Sequence, residues 1–308
     1  MPKISEKMPE NYTKPPLTFK QQINQLVKRG LIVDDELKAQ AILSAINYYR
    51  LSAYWYPFRK KDTNALITSE FRPNTNFNDI IALYEFDRHL RLLLIDAIER
   101  IEVAIRTRIS YVLAHNYGAF AHTDSNNFHP KFWHSDWLSR VESETDRSSE
   151  EFITHYQTKY NGFPTLPIWM VTEVMTLGAL STAYKGLKNG DKKQVAHEIG
   201  LHHKQLADWL HVLTYIRNIC THHGRLWNRE LAIKSMPPKN PLWKPPITPT
   251  NKRLFFVLLV IRSLLKPLGM GENWHEEVTK LLEPVAQNPL WRNAMGLPEN
   301  WETHPLWK

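Results

Sequence analysis

An all-α fold is what this sequence predicts, on three observations. Eleven glycines among 308 residues are few for a fold that turns tightly between many strands. The stretch Asn78–Gly118 carries apolar residues at helical spacing with no proline and no internal glycine. No series of alternating strands and no internal repeat is visible.

The elements follow in order. Residues 1–16 are polar, contain prolines and read as a flexible lead-in. Leu17–Leu31 has helical spacing and stops at Gly30. A second helix is expected over Asp34–Phe58, with Asp34 or Asp35 as its N-cap and Pro57 at its end. A polar hairpin or loop runs from there to Asn76. Asn78–Gly118 is the strongest helix, capped by Asn78 and ended by Gly118; unbroken, it would be roughly 60 Å long at ~1.5 Å per residue. Residues 119–163 suit loops with short helices. Pro167 opens a mostly helical stretch to Leu187. Two further helices lie within 191–201 and 203–223. The prolines of 236–250 make an irregular connector, and helix returns in 251–268 and 274–285. The expected organisation is a helical domain over 17–232, followed by the proline-rich connector and C-terminal helices of 233–308, packing on it.

Composition bounds the partners. A hydrophobic fraction of 43% argues for a folded chain. The net charge of +8 is a modest vote for a polyanionic partner. The single cysteine, Cys220, excludes an intrachain disulfide and suits a reducing compartment. The N-terminus has no apolar signal region, and the apolar run Leu254–Leu265 is too short for a bilayer and holds Arg262. A cytoplasmic protein without membrane contact is expected.

The densest chemistry lies in "RNICTHHGRLWNR", Arg217–Arg229. With Arg217 at zero and about 100° per residue, Leu206, Trp209, Leu213, Ile216 and Cys220 share an arc of about 80°, a core stripe. Thr221, Asn218 and His222 fall at about 40°, 100° and 140°, on a second face. His222 can exchange a proton near neutral pH, and Arg217 can hold a phosphate. Asn218 can orient substrate or imidazole. That set suits RNA cleavage, because the RNA 2′-OH is itself the nucleophile. An ordinary solvated helix end would also place a histidine here.

Arg217-Asn218-Ile219-Cys220-Thr221-His222 matches the R-N-x-x-x-H motif of HEPN ribonucleases. Together with "NYYRLSAYWYPF", "ALYEFDRHLRLLLIDAIERIEVAIRTRI" and "PIWMVTEVMTLGALS", it resembles the Abi family of bacterial abortive-infection proteins, the AbiD/AbiF group, over roughly Leu17–Arg229. The resemblance implies a HEPN-like helical bundle with additional N- and C-terminal helices, a role in phage defence, and RNA as target. It implies metal-independent endoribonuclease chemistry at Arg217, His222 and Asn218, with no cofactor. HEPN sites usually pair two motifs, so a homodimer is expected. Arg108 and His115, seven residues apart, are a looser internal candidate for the second half.

Thr221, His223, Arg225 and Arg229 are candidate RNA contacts, while Trp227 is expected to pack. His202, His203, His211, His222, His223 and Cys220 have no zinc-finger spacing, so no metal is expected. The aromatics of Asn47–Phe58 suit packing better than base stacking, and Glu102–Arg106 reads as an i,i+4 support. Two rival readings stand beside the enzyme: a non-catalytic RNA-binding module, and a toxin–antitoxin component held by an RNA or protein antitoxin.

Overall fold

The computed structural model describes residues 11–308; residues 1–10 of the expected lead-in lie outside that range. The chain divides into two compact units, one up to Phe86 and one from Asp87. Thirteen α-helices and one two-stranded sheet are found among the described residues, so the fold is all-α in its essentials.

In the first unit, α1 spans Phe19–Lys28 and opens with a reciprocal capping box between Thr18 and Gln21. Gly30 follows with φ of 90°, a conformation that glycine adopts without the Cβ penalty. The single helix expected over 34–58 is two. Asp35 caps α2 (Glu36–Ala45), Ile46 is extended, and Asn47 accepts from the Tyr49 N–H to start α3 (Tyr48–Trp55). The asparagine offers its backbone a side-chain partner in place of the helical one, and so the helix breaks. The polar segment after Pro57 includes an antiparallel hairpin of β1 (Arg59–Lys61) and β2 (Ile67–Phe71), with an irregularity in its register. Trp55 packs edge-on against both Tyr48 and Phe71 and is buried with Tyr54, while Tyr49 and Tyr56 of the same aromatic run stand exposed.

The long helix, α4, is unbroken over Phe77–Tyr117. Its start is set by Asn76, whose side chain accepts from the Asn78 N–H; the expected cap, Asn78, lies inside the first turn. Gly118 ends it at φ of 89°.

From Asp87 on, the second unit continues with α5 (His134–Asp146), α6 (Glu151–Lys159), α7 (Ile168–Val174), α8 (Leu177–Gly186), α9 (Asn189–His197) and α10 (His203–Thr221). The stretch 167–187 breaks at the extended Met175, and Thr176 caps α8. Arg106 stabilises that break: its guanidinium donates to the carbonyls of Met175 at 2.7 Å and Glu173 at 3.2 Å, and it pairs with Glu102. α10 packs against α8 and α9. After the proline-rich connector come α11 (Leu254–Leu265), α12 (Glu272–Ala286) and α13 (Pro289–Met295). α11 is buried almost throughout, including Arg262, which makes two bonds to Glu272 and one to the Trp307 carbonyl. No helix among the described residues is long and apolar enough to cross a membrane.

Candidate functional site

The core stripe of α10 is buried as its periodicity requires: Leu206, Trp209, Leu213, Ile216 and Cys220 are all inside. The polar set occupies the last turn of that helix. Arg217 and Thr221 are half-buried, and Asn218, His222 and His223 are exposed.

The helix ends in a Schellman turn. His222 is the C-cap; the His223 N–H donates to the Cys220 carbonyl at 3.0 Å and the Gly224 N–H to the Ile219 carbonyl at 2.8 Å. His223 therefore holds the C′ position, with φ of 55°. Glycine is the usual residue there, and a histidine in the left-handed region is uncommon. Thr221 adds to the closure, since its hydroxyl lies within 3.1 Å of the Arg217 carbonyl and 3.2 Å of the Asn218 carbonyl. This matters electrostatically. A helix C-terminus is negative and repels an anion; here the carbonyls of Arg217, Asn218, Ile219 and Cys220 already have donors, and Arg217 brings a positive charge to the same turn.

The segment after the turn is fastened from several directions. Asp87 of α4, wholly buried, accepts from the Trp227 N–H at 2.8 Å and the Leu226 N–H at 3.1 Å. Its other oxygen meets Arg91 at 2.5 Å, and the same Arg91 nitrogen makes a long contact of 3.4 Å to the Gly224 carbonyl. Trp227 is buried against Trp291, Arg253 donates to the Asn228 carbonyl, and the Leu231 N–H bonds the Lys252 carbonyl. Arg229 folds back, its Nε donating to the Arg225 carbonyl at 2.9 Å.

The sequence reading did not single out Asp87 and Arg91 as site-forming residues. The signal was present. Leu83, Asp87, Leu90, Leu94 and Ala97 recur at spacings of three and four, so Asp87 falls on the apolar stripe of α4, with an arginine four residues on. A carboxylate in such a place needs buried donors.

Cys220 sits beside this pair. Burial pushes its thiol up to about 12; the Arg91 guanidinium pulls the other way and the Asp87 carboxylate adds to the rise. It is a packed thiol with no nucleophilic character at neutral pH.

The second candidate pair does not meet the motif within one chain. Arg91 reaches Gly224 at one end of the α4–α10 arrangement. Arg108 pairs with Glu198 at 3.6 Å, ahead of the start of α10, and His115 bonds the Tyr111 carbonyl and stacks on its ring. Seventeen residues of helix, about 25 Å, separate Arg91 from Arg108. Among the described residues no group of three or more His, Cys, Asp or Glu side chains could hold a metal ion.

The model of the Abi-like protein family matches residues 41–228, the stretch that ends one residue after Trp227. No curated protein and no solved structure matches the chain.

Proposed function

The chain belongs to the Abi-like protein family, and from that premise we propose that it acts in the bacterial cytoplasm as a phage-defence endoribonuclease of the HEPN type. Membership of the family points to abortive infection. One observation carries the chemical reading. Arg217 is half-buried at the end of α10, yet no hydrogen-bond or ion-pair partner for its guanidinium is present among the described residues, while Asn218 and His222 stand exposed in the same turn. A half-buried guanidinium that the protein leaves without an acceptor is suited to an oxyanion from outside.

In this reading Arg217 neutralises the non-bridging oxygens of one RNA phosphate and stabilises the extra charge of the transition state. A His222 imidazole takes the proton of the 2′-OH. O2′ attacks phosphorus, the P–O5′ bond breaks, and O5′ receives a proton from a second imidazolium. The products are a 2′,3′-cyclic phosphate and a 5′-OH, and the number of protons is conserved. Asn218 orients the substrate; Thr221, His223, Arg225 and Arg229 flank it. The second imidazole comes from a second copy of the chain, with the two α10 ends facing one another.

The test is to incubate the purified protein with RNA and map the ends. Cyclic phosphate ends that disappear in His222→Ala and Arg217→Ala, with both variants folded, support the reading. Equal cleavage by wild type and His222→Ala removes it. RNA bound by the wild type without any cleavage leaves the non-catalytic module.

A further inference from the structure

Three features of the site belong together: a histidine at C′ in the left-handed region, a glycine that nothing larger replaces without displacement, and a buried ion pair that grips the backbone just beyond. A Cβ on Gly224 would lie 3.1 Å from the Ile219 side chain and 3.3 Å from its carbonyl, so the turn is pressed onto α10. Leu226 and Trp227 are fully buried, and their N–H groups have no route to water. Asp87 supplies the acceptor for both. Remove it, and two buried donors lose their acceptor.

We propose that Asp87 and Arg91 are positioning residues of the candidate site. By fixing the backbone from Gly224 to Trp227 they hold His223 in its left-handed conformation, and so set the direction in which the adjacent imidazoles of His222 and His223 meet the RNA. Neither residue touches substrate; both act through the turn. The Schellman bonds alone close the helix, but they do so most readily with glycine at C′. A β-carbon in that conformation persists where surrounding structure over-determines it. The Asp87–Arg91 grip is that surrounding structure, applied directly after the strained residue. The proposal rests on the ribonuclease reading for what the imidazoles do, and on geometry alone for what the pair does.

The experiment compares wild type, Asp87→Ala, Arg91→Lys and His223→Gly. It uses single-turnover cleavage, affinity for a 2′-O-methyl RNA that cannot be cut, and the imidazole NMR signals of His222 and His223. Asp87→Ala, which removes the acceptor of both N–H groups, should lose roughly 100-fold in rate at saturating RNA, the scale of a misplaced catalytic group, while affinity stays within about threefold. The His223 signal, shifted by RNA in the wild type, should no longer shift. Should Asp87→Ala fail to fold, Arg91→Lys, which keeps the charge, carries the same expectation. His223→Gly should melt higher than wild type and cleave more slowly; a glycine that is neutral for both overturns the role given to the left-handed residue. Full rate in folded Asp87→Ala or Arg91→Lys overturns the proposal while leaving the ribonuclease reading intact. A wild type that binds RNA without cutting it ends the ribonuclease reading. In that case loss of the His223 shift in Asp87→Ala still supports positioning, and retention of the shift overturns it.

Discussion

The carboxylate of Asp87 accepts a hydrogen bond from the backbone N–H of Trp227 at 2.8 Å, across 140 residues of sequence. Asp87→Ala should therefore be among the more damaging single changes in the second unit. It leaves two buried N–H groups without their acceptor and breaks the buried Asp87–Arg91 pair, a loss of about 3–5 kcal/mol. Urea denaturation of wild type and variant measures it; a loss below about 1 kcal/mol, the range of exposed pairs, would show that the site is wet.

Arg225 and Arg229 adjoin the motif, and Arg229 is braced by the Arg225 carbonyl. If both neutralise phosphates, the double change to alanine should weaken RNA binding and flatten the dependence of log K on log salt by roughly 1.4, about 0.7 for each contact with a single strand. An unchanged slope, from binding curves at several salt concentrations, would locate the RNA surface elsewhere.

His122 lies only 3% exposed. Burial lowers its pKa to about 4, with the neighbouring His134 lowering it further in the same direction. Its folded pKa lies below the unfolded value of about 6.5, so the unfolded chain binds the extra proton. Stability is thus full above about pH 6.5 and falls as pH drops towards 4, by up to about 3 kcal/mol. His122→Leu should flatten this part of the melting profile. An unaltered profile would show that the imidazole reaches water when charged.

The Cys220 thiol should be inert in the folded protein. Its burial and raised pKa predict no reaction with a thiol reagent at neutral pH until denaturant is added. Rapid labelling of native protein would mean that the end of α10 opens readily.

Pairing of two chains should appear as a mass of twice 36.2 kDa in light scattering at micromolar concentration. A fully active monomer would remove the two-copy site, and Arg108 with His115 could not replace it, since those residues lie at the far end of α4 from the motif.

How far the sequence could be read depended on where each preference came from. The core stripe of α10 and the length of α4 rest on periodicity that extends over several turns, and both were legible. The breaks at Asn47 and Met175 were not. Each is one residue in a strongly helical surround, decided by a side-chain cap or by the distant Arg106. For the site, the residue types and their helical faces were visible, because they are local. What closes the turn was not: the left-handed His223 lies where a glycine would be expected, and Asp87 comes from another part of the chain. α13, only 7 residues long, is too short for its period to stand out, although its Trp291 lies against Trp227.

That last contact bears on the order in which the molecule is made. The motif is complete at His222, but the backbone behind it is fastened by Lys252, Arg253 and Trp291. A ribosome delivers those residues after the histidines. While they are still being translated, a growing chain carries every group of the candidate site, together with the Asp87 and Arg91 that hold its turn, and lacks only the packing behind Trp227, Asn228 and Leu231. The later helices therefore back a turn that earlier residues close.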